Sequence, residues 1–199
     1  MVELREEIIS KSFVQFLTRG YKACSLKDLE QATGLTKGAF YYYFKDKKEI
    51  LKAGIEKYFT VMREIEDKEL VRISSLREFF GLVLQYKEES ADLSKKLFNT
   101  YVIEVLFFQL VLEVASLFPE FRERIYGVSK NRLACWEYII LKAKEKGEIR
   151  ETLDTSVLAR NLMSVSISML NLEFEEADMK FIFSDMRMQF EQYYLLIKK

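Results

Sequence analysis

The first fifty residues carry apolar positions at helical spacing and break off three times. Leu4, Ile8, Ile9, Phe13, Phe16 and Leu17 fall on one stripe that stops at Gly20, the spacing of an amphipathic helix with one buried face. In "SLKD" at 25–28, Ser25 stands as an N-cap with Asp28 three positions on, which predicts a short second helix with Leu26, Leu29 and Ala32 on a shared face and Gly34 as its stop. Thr36 can cap a third helix, on which Phe40 and Phe44 point back at the first two. Asp46 and Glu49 repeat the capping pattern and open a helix that turns Ile50, Leu51, Ile55, Tyr58, Phe59 and Met62 inward. Three short helices, the second and third joined by "TGLT", predict a helix-turn-helix.

The helical period continues beyond residue 66, with breaks expected near 72–75, 88–92, 116–120, 145–155 and 173–178. This gives nine helices or slightly more, with caps at Ser75 and Asp154 and Pro119 in a first turn. The run "YVIEVLFFQLVLEVA" at 101–115 is shorter than the roughly 20 residues of a membrane span and contains Glu104 and Glu113, so it reads as a core helix. The last two helices, about 156–172 and 178–197, are apolar on more than one face. Leu158, Leu162, Val165, Met169, Phe183, Met186, Phe190 and Tyr194, with the small Ser164 and Ser168, predict a bundle of two helices plus two across a twofold axis between two copies. The alternative is that these helices pack on their own core.

Composition narrows the class. With 49% hydrophobic residues and a single proline, the chain reads as all-α, folded and cytoplasmic. The formal net charge is zero, yet residues 1–48 hold nine lysines and arginines against six acids, a net +3 that leaves −3 for the rest. A basic head on a mildly acidic body suits a nucleic-acid partner. Histidine is absent, and Cys24 and Cys135 stand far apart, so no zinc site, disulfide framework or cofactor is expected. Without a Gly-rich phosphate loop or a nucleophile beside a base, an enzyme is not expected either.

With Phe40 and Phe44 taken as the buried face of the third helix, Gly38 and Tyr42 lie opposite, flanked by Ala39, Tyr41 and Lys45. Gly38 allows close approach of a backbone, the tyrosines offer hydroxyls to phosphates and rings to thymine methyls, and Lys37 reaches for a guanine edge. Lys47, at the start of the next helix, is placed for a phosphate. Three adjacent tyrosines cannot all be buried on one helix, so part of this surface is aromatic and exposed.

The stretch "GYKACSLKDLEQATGLTKGAFYYYFKDKKEIL" within residues 5–51 resembles the N-terminal DNA-binding domain of the TetR family of bacterial transcriptional regulators. The likeness rests on Gly20-Tyr21, the Ser25 cap, the Gly34-Leu35-Thr36 turn, the helix from Lys37 to Tyr42, Phe44, and Lys47 before Glu49-Ile50-Leu51. It implies a helix-turn-helix domain over 1–47 and an all-helical effector-binding and dimerisation domain over 48–199. Thr36, Lys37, Gly38, Ala39 and Tyr41 would line the groove, and Tyr42, Tyr43 and Lys47 would hold the DNA backbone. Tyr43 departs from the family, which commonly has histidine there, so hydrogen bonding to phosphate survives without a pH response.

The implied function is a dimeric, effector-responsive regulator, expected to be a repressor on a near-palindromic operator. Phe80, Tyr101, Glu104, Phe108, Trp136, Tyr138 and Met163 are the candidate lining for a hydrophobic effector, neutral or cationic, against the reading of the same aromatics as plain core. A DNA-binding architectural protein without effector, and an interaction module that has lost DNA binding, are the rival functions.

Overall fold

The computed structural model describes residues 2–101, 104–167 and 179–199. Ten helices follow one another among them: α1 (Val2–Arg19), α2 (Leu26–Thr33), α3 (Lys37–Tyr43), α4 (Lys47–Phe59), α5 (Asp67–Arg72), α6 (Leu76–Phe98), α7 (Glu104–Glu113), α8 (Pro119–Glu145), α9 (Thr155–Ile167) and α10 (Met179–Ile197). The all-helical class expected from the periodicity is thus observed. An isolated antiparallel bridge, Ile149 with Lys198, is the one extended pairing among the described residues, and none of their helices is long and apolar enough to cross a membrane.

The caps fall largely where the side-chain pattern places them. Ser25 and Asp28 complete a reciprocal capping box on α2, Thr36 caps α3, and Asp154 Oδ1 accepts from Val157 N at the head of α9. At α4 the box is shifted by one residue: Asp46 accepts from Glu49 N, but the Glu49 carboxylate returns to Lys45 N at 2.7 Å. The break expected near 88–92 does not occur, since α6 runs unbroken through it. That stretch holds no glycine or proline, and Leu93 and Leu97 continue the apolar stripe beyond it.

The chain divides into two compact units, Met1–Arg63 with Ser90–Ile125, and Glu64–Glu89 with Tyr126–Lys199. The expected boundary after residue 47 is therefore not where the packing divides, and the reason is a close α1–α4 contact. A Cβ on Gly54 would stand 2.6 Å from Phe13 Cδ2 and 2.9 Å from Phe13 Cβ, so glycine lets α4 lie against α1 over a ring that is fully buried. Phe13 also meets Phe98 at 5.0 Å between centroids, and Tyr58 meets Phe107 at 4.2 Å. These contacts bring residues 90–125 into the same core as the head. Lys57 adds a polar tie, donating to Glu6 Oε2 and Ser10 Oγ, while Ser10 donates to Leu97 O. Along the outside of α4, Lys48 lies over the Phe118 ring, Lys52 faces Glu120 and Glu56 pairs with Arg124. Such exposed pairs contribute little singly.

In the second unit, Phe80 stacks on Phe190 at 4.5 Å and 9°, and Trp136 stands edge-on to Phe79. Ile140, Ala159 and Leu162 complete a closed interior. The Glu148 carboxylate accepts from Leu76 N at the head of α6, and Arg150 N and Lys199 N bind back across the α8–α9 connection and the C-terminal end.

Gly54→Ala is expected to lower the unfolding free energy by about 1–3 kcal/mol, because overpacking against Phe13 outweighs the roughly 1 kcal/mol that alanine gains in a helix. Urea denaturation checks this, and a midpoint at or above wild type would contradict the close α1–α4 contact.

Candidate nucleic-acid interface

Everything at the α2–α3 corner follows from a left-handed residue and two aromatic anchors. Gly34 ends α2 at φ 75°, ψ 12°, with its N–H on Glu30 O. A Cβ there would meet nothing within 4 Å, so backbone conformation and not space calls for glycine. Leu35 packs against the core at the corner, and Thr36 Oγ1 accepts from Ala39 N to start α3. Phe40 and Phe44 are 1% and 2% exposed, and Phe44 closes the helix with extended backbone and its N–H on Phe40 O.

Burial of these two rings dictates what α3 turns outward. Tyr42 is 71% and Tyr41 53% exposed; Thr36, Lys37 and Gly38 are exposed and Ala39 half-buried. The Lys37 ammonium lies 5.9 Å from the centre of the Tyr41 ring, a cation–π contact that keeps both groups on one side of the helix. A methyl on Gly38 would meet nothing within 4 Å, so nothing inside the chain requires glycine there. Five of the eight predicted residues are thus exposed and a sixth, Ala39, half-buried.

The other two turn inward. Tyr43 is half-buried and packs on the core, with Tyr42 edge-on at 4.9 Å. Lys47 donates from Nζ to Tyr21 O and Cys24 O, both at 2.7 Å, and its ammonium lies 4.1 Å from the centre of the Tyr21 ring. The residue that sequence reasoning missed is Glu113, whose two carboxylate oxygens accept from Tyr21 N at 2.9 Å and Lys22 N at 2.8 Å. No local pattern around Glu113 signals this, because its partners lie about 90 positions away.

Electrostatics around the α2 start are those of a structural cap. The Ser25 hydroxyl and amide hold the Asp28 carboxyl below its ordinary range, with Arg19 adding to the effect. Burial first, and then Asp28, push the Cys24 thiol up; the thiolate is disfavoured, as suits a packing residue. Among the described residues no group of His, Cys, Asp and Glu is placed to hold a metal.

Residues 8–53, which carry the α1–α4 arrangement just described, match the model for bacterial regulatory proteins of the tetR family. The head of the chain belongs to the TetR family. The chain is 22% identical to the HTH-type transcriptional repressor DhaR of Mycobacterium sp. (strain GP1) over 166 residues, 81% of this chain and 77% of that protein. Among solved structures, the ketosteroid transcriptional regulator KstR2 of Mycobacterium tuberculosis aligns with a TM-score of 0.68 at 17% identity, covering 98% of this chain and 95% of that one. A transcriptional regulator of Saccharomonospora viridis, solved in complex with choline, aligns with a TM-score of 0.62 at 18% identity over the whole of both chains. At these identities the structures show a shared fold.

The remaining predicted residues of the chain distribute unevenly. Of the effector set, Phe80 and Trp136 are buried side by side in the second unit, 5.9 Å apart, Met163 packs against the same core, and Tyr138 is exposed. Tyr101, Glu104 and Phe108 belong to the first unit, where Tyr101 is exposed and Phe108 packs on the core. The seven therefore do not form one lining within either unit. Of the dimer set, Leu158, Leu162, Val165, Met186 and Phe190 are buried in the core of their own chain. Such side chains have no surface left to offer a partner, which corrects the sequence assignment for these five. Phe183 and Tyr194 are half-buried, Tyr194 under the Arg77 guanidinium, and Met169, with Ser168, lies outside the described residues. The apolar side chains that α9 and α10 leave exposed are Val157, Phe181, Met188, Leu195 and Leu196.

Because Asp28 has a depressed pKa in the folded state, its stabilisation is complete above the ordinary carboxylate range and is lost as pH falls through the lowered value. Asp28→Asn is expected to remove that part of the acid dependence, so the gap between variant and wild type begins to narrow near pH 4 and closes only below the lowered value. Thermal melts from pH 7 to pH 2 measure it; a constant gap across the range would rule the cap out as its source.

Proposed function

We propose that this chain is a dimeric repressor that reads a near-palindromic DNA operator through α3 and releases it when a small apolar effector binds the second unit. The observation that carries the reading is the outward surface of Thr36, Lys37, Gly38, Ala39, Tyr41 and Tyr42, held from behind by buried Phe40 and Phe44. A surface of this kind has the chemistry of a major-groove reader. Lys37 supplies donors to guanine O6 and N7, Tyr41 an apolar ring for a thymine methyl, Tyr42 a hydroxyl for a phosphate, and open Gly38 a route for close backbone approach.

Two copies are needed because one short helix reads only a few base pairs. The exposed Phe181, Met188 and Leu195 follow one stripe of α10 beside Leu196 and the α9 residue Val157, an isologous face for a second copy. Reading successive major grooves requires the two α3 helices of such a dimer to stand about 34 Å apart.

The aromatic cluster of Phe80, Trp136 and Phe190 is the favoured effector region. An apolar or cationic molecule inserted among these rings repacks the α6, α8 and α10 side chains. The Saccharomonospora viridis regulator, solved in complex with choline, a small cation, supports this reading. Effector binding then shifts the α4 start at Asp46 and with it the spacing of the two reading helices. A coupling of about 1–3 kcal/mol suffices to change operator occupancy by one or two decades.

Selection of bound fragments from a random duplex pool tests the reading: one palindromic motif is expected, whereas retention of many unrelated fragments would favour an architectural role. Lys37→Ala should cost about 1–3 kcal/mol on the selected duplex and relax its preference at one position of each half-site. Phe181→Glu should yield a folded monomer with weakened DNA binding, seen by analytical ultracentrifugation, while Phe190→Glu should fail to fold. A Phe181→Glu chain that remains dimeric would remove this face from consideration.

A further inference from the structure

We infer that Lys47 and Glu113 are positioning residues for DNA reading, clamping the turn between α1 and α2 from opposite sides. The inference rests on the DNA-reading function proposed above.

The turn spans residues 20–24. Gly20 opens it at φ +80°, with its N–H still on Phe16 O, and Cys24 N closes it on Gly20 O at 3.2 Å. Between these bonds the backbone groups of Tyr21 and Lys22 have left the helical ladder and need partners from elsewhere. Glu113, the last residue of α7, meets the amides in bidentate fashion, one oxygen on Tyr21 N and the other on Lys22 N. Lys47, the first residue of α4, meets the carbonyls of Tyr21 and Cys24 and covers the Tyr21 ring. The peptide groups flanking Tyr21 are therefore held by an anion on the N–H side and a cation on the C=O side. A Cβ on Gly20 would stand 3.1 Å from Glu113 Oε2, so the carboxylate also bears directly on the hinge.

An ammonium has three N–H donors. Two are used on carbonyl oxygens, and the group lies over a ring. The two engaged N–H groups hold Tyr21 O and Cys24 O, and one N–H remains. The clamp matters for reading because Ser25 caps α2 immediately after Cys24; the turn fixes where α2 begins, and α2 carries the Gly34 corner that launches α3.

The test uses the full-length chain with Lys47→Met and Glu113→Gln, measured on two probes: the duplex that wild type selects from a random pool, and a shuffled duplex of the same composition. Affinities are taken across a series of NaCl concentrations. A positioning role predicts that each variant binds the selected duplex about tenfold or more weakly, binds the shuffled duplex as wild type does, and keeps the wild-type salt slope. A Lys47→Met chain that weakens on both duplexes equally, with a slope reduced by about 0.9 for each copy in the dimer, places Lys47 on a phosphate and overturns the inference. So does Glu113→Gln with unchanged affinity for the selected duplex. Should Lys47→Met not fold, Lys47→Arg replaces it: a phosphate contact predicts wild-type binding, the clamp a selective loss on the selected duplex. Wild-type protein that selects no duplex overturns the functional reading itself, an outcome distinct from either of these.

Discussion

Phe40 and Phe44 lie four residues apart at the inner side of α3, and their burial governs the rest of the head. Each ring removed from water contributes on the order of 2–3 kcal/mol, more than a seven-residue helix can supply by its own hydrogen bonds, which are marginal at that length. α3 is consequently helical because it is docked. The docking also determines orientation: with two rings turned in, Tyr41 and Tyr42 have nowhere to go but out. A surface that would be poor for solubility becomes the inevitable product of the anchors behind it.

The anchors find their place only because the helices beneath them are held. α1 and α4 meet at the Gly54–Phe13 contact, and residues 90–125 close the same core from the other side of the sequence. The head is therefore built from two chain segments. α6 begins in the second unit and ends in the first, and α8 does the reverse, so two of the three chain crossings between the units lie within helices.

α9 and α10 show how far an apolar pattern can mislead about surfaces. Both helices are hydrophobic on more than one face, and one face of each must serve the chain's own core. Leu158, Leu162 and Phe190 serve it, leaving a different stripe, with Phe181 and Met188, for the exterior. Which stripe goes inward depends on the rotation of each helix about its axis. That rotation is set by rings on α6 and α8, distant in sequence.

Local chemistry was legible from the residues alone: the caps at Ser25, Thr36 and Asp154, the left-handed stop at Gly34, the period of α1 and α4, and the outward face of α3. Each depends on residues within about one helical turn of one another, where side-chain and backbone geometry leave few options. The tertiary structure decided what depends on distant partners. It turned Lys47 from an outward cation into a latch on Tyr21 and Cys24, brought Glu113 to the same turn, carried α6 through a stretch of serine and acids, and chose which apolar stripe of α10 would be interior. No spacing within the chain specifies those outcomes, because each is settled by how well two separate segments fit once the core excludes water.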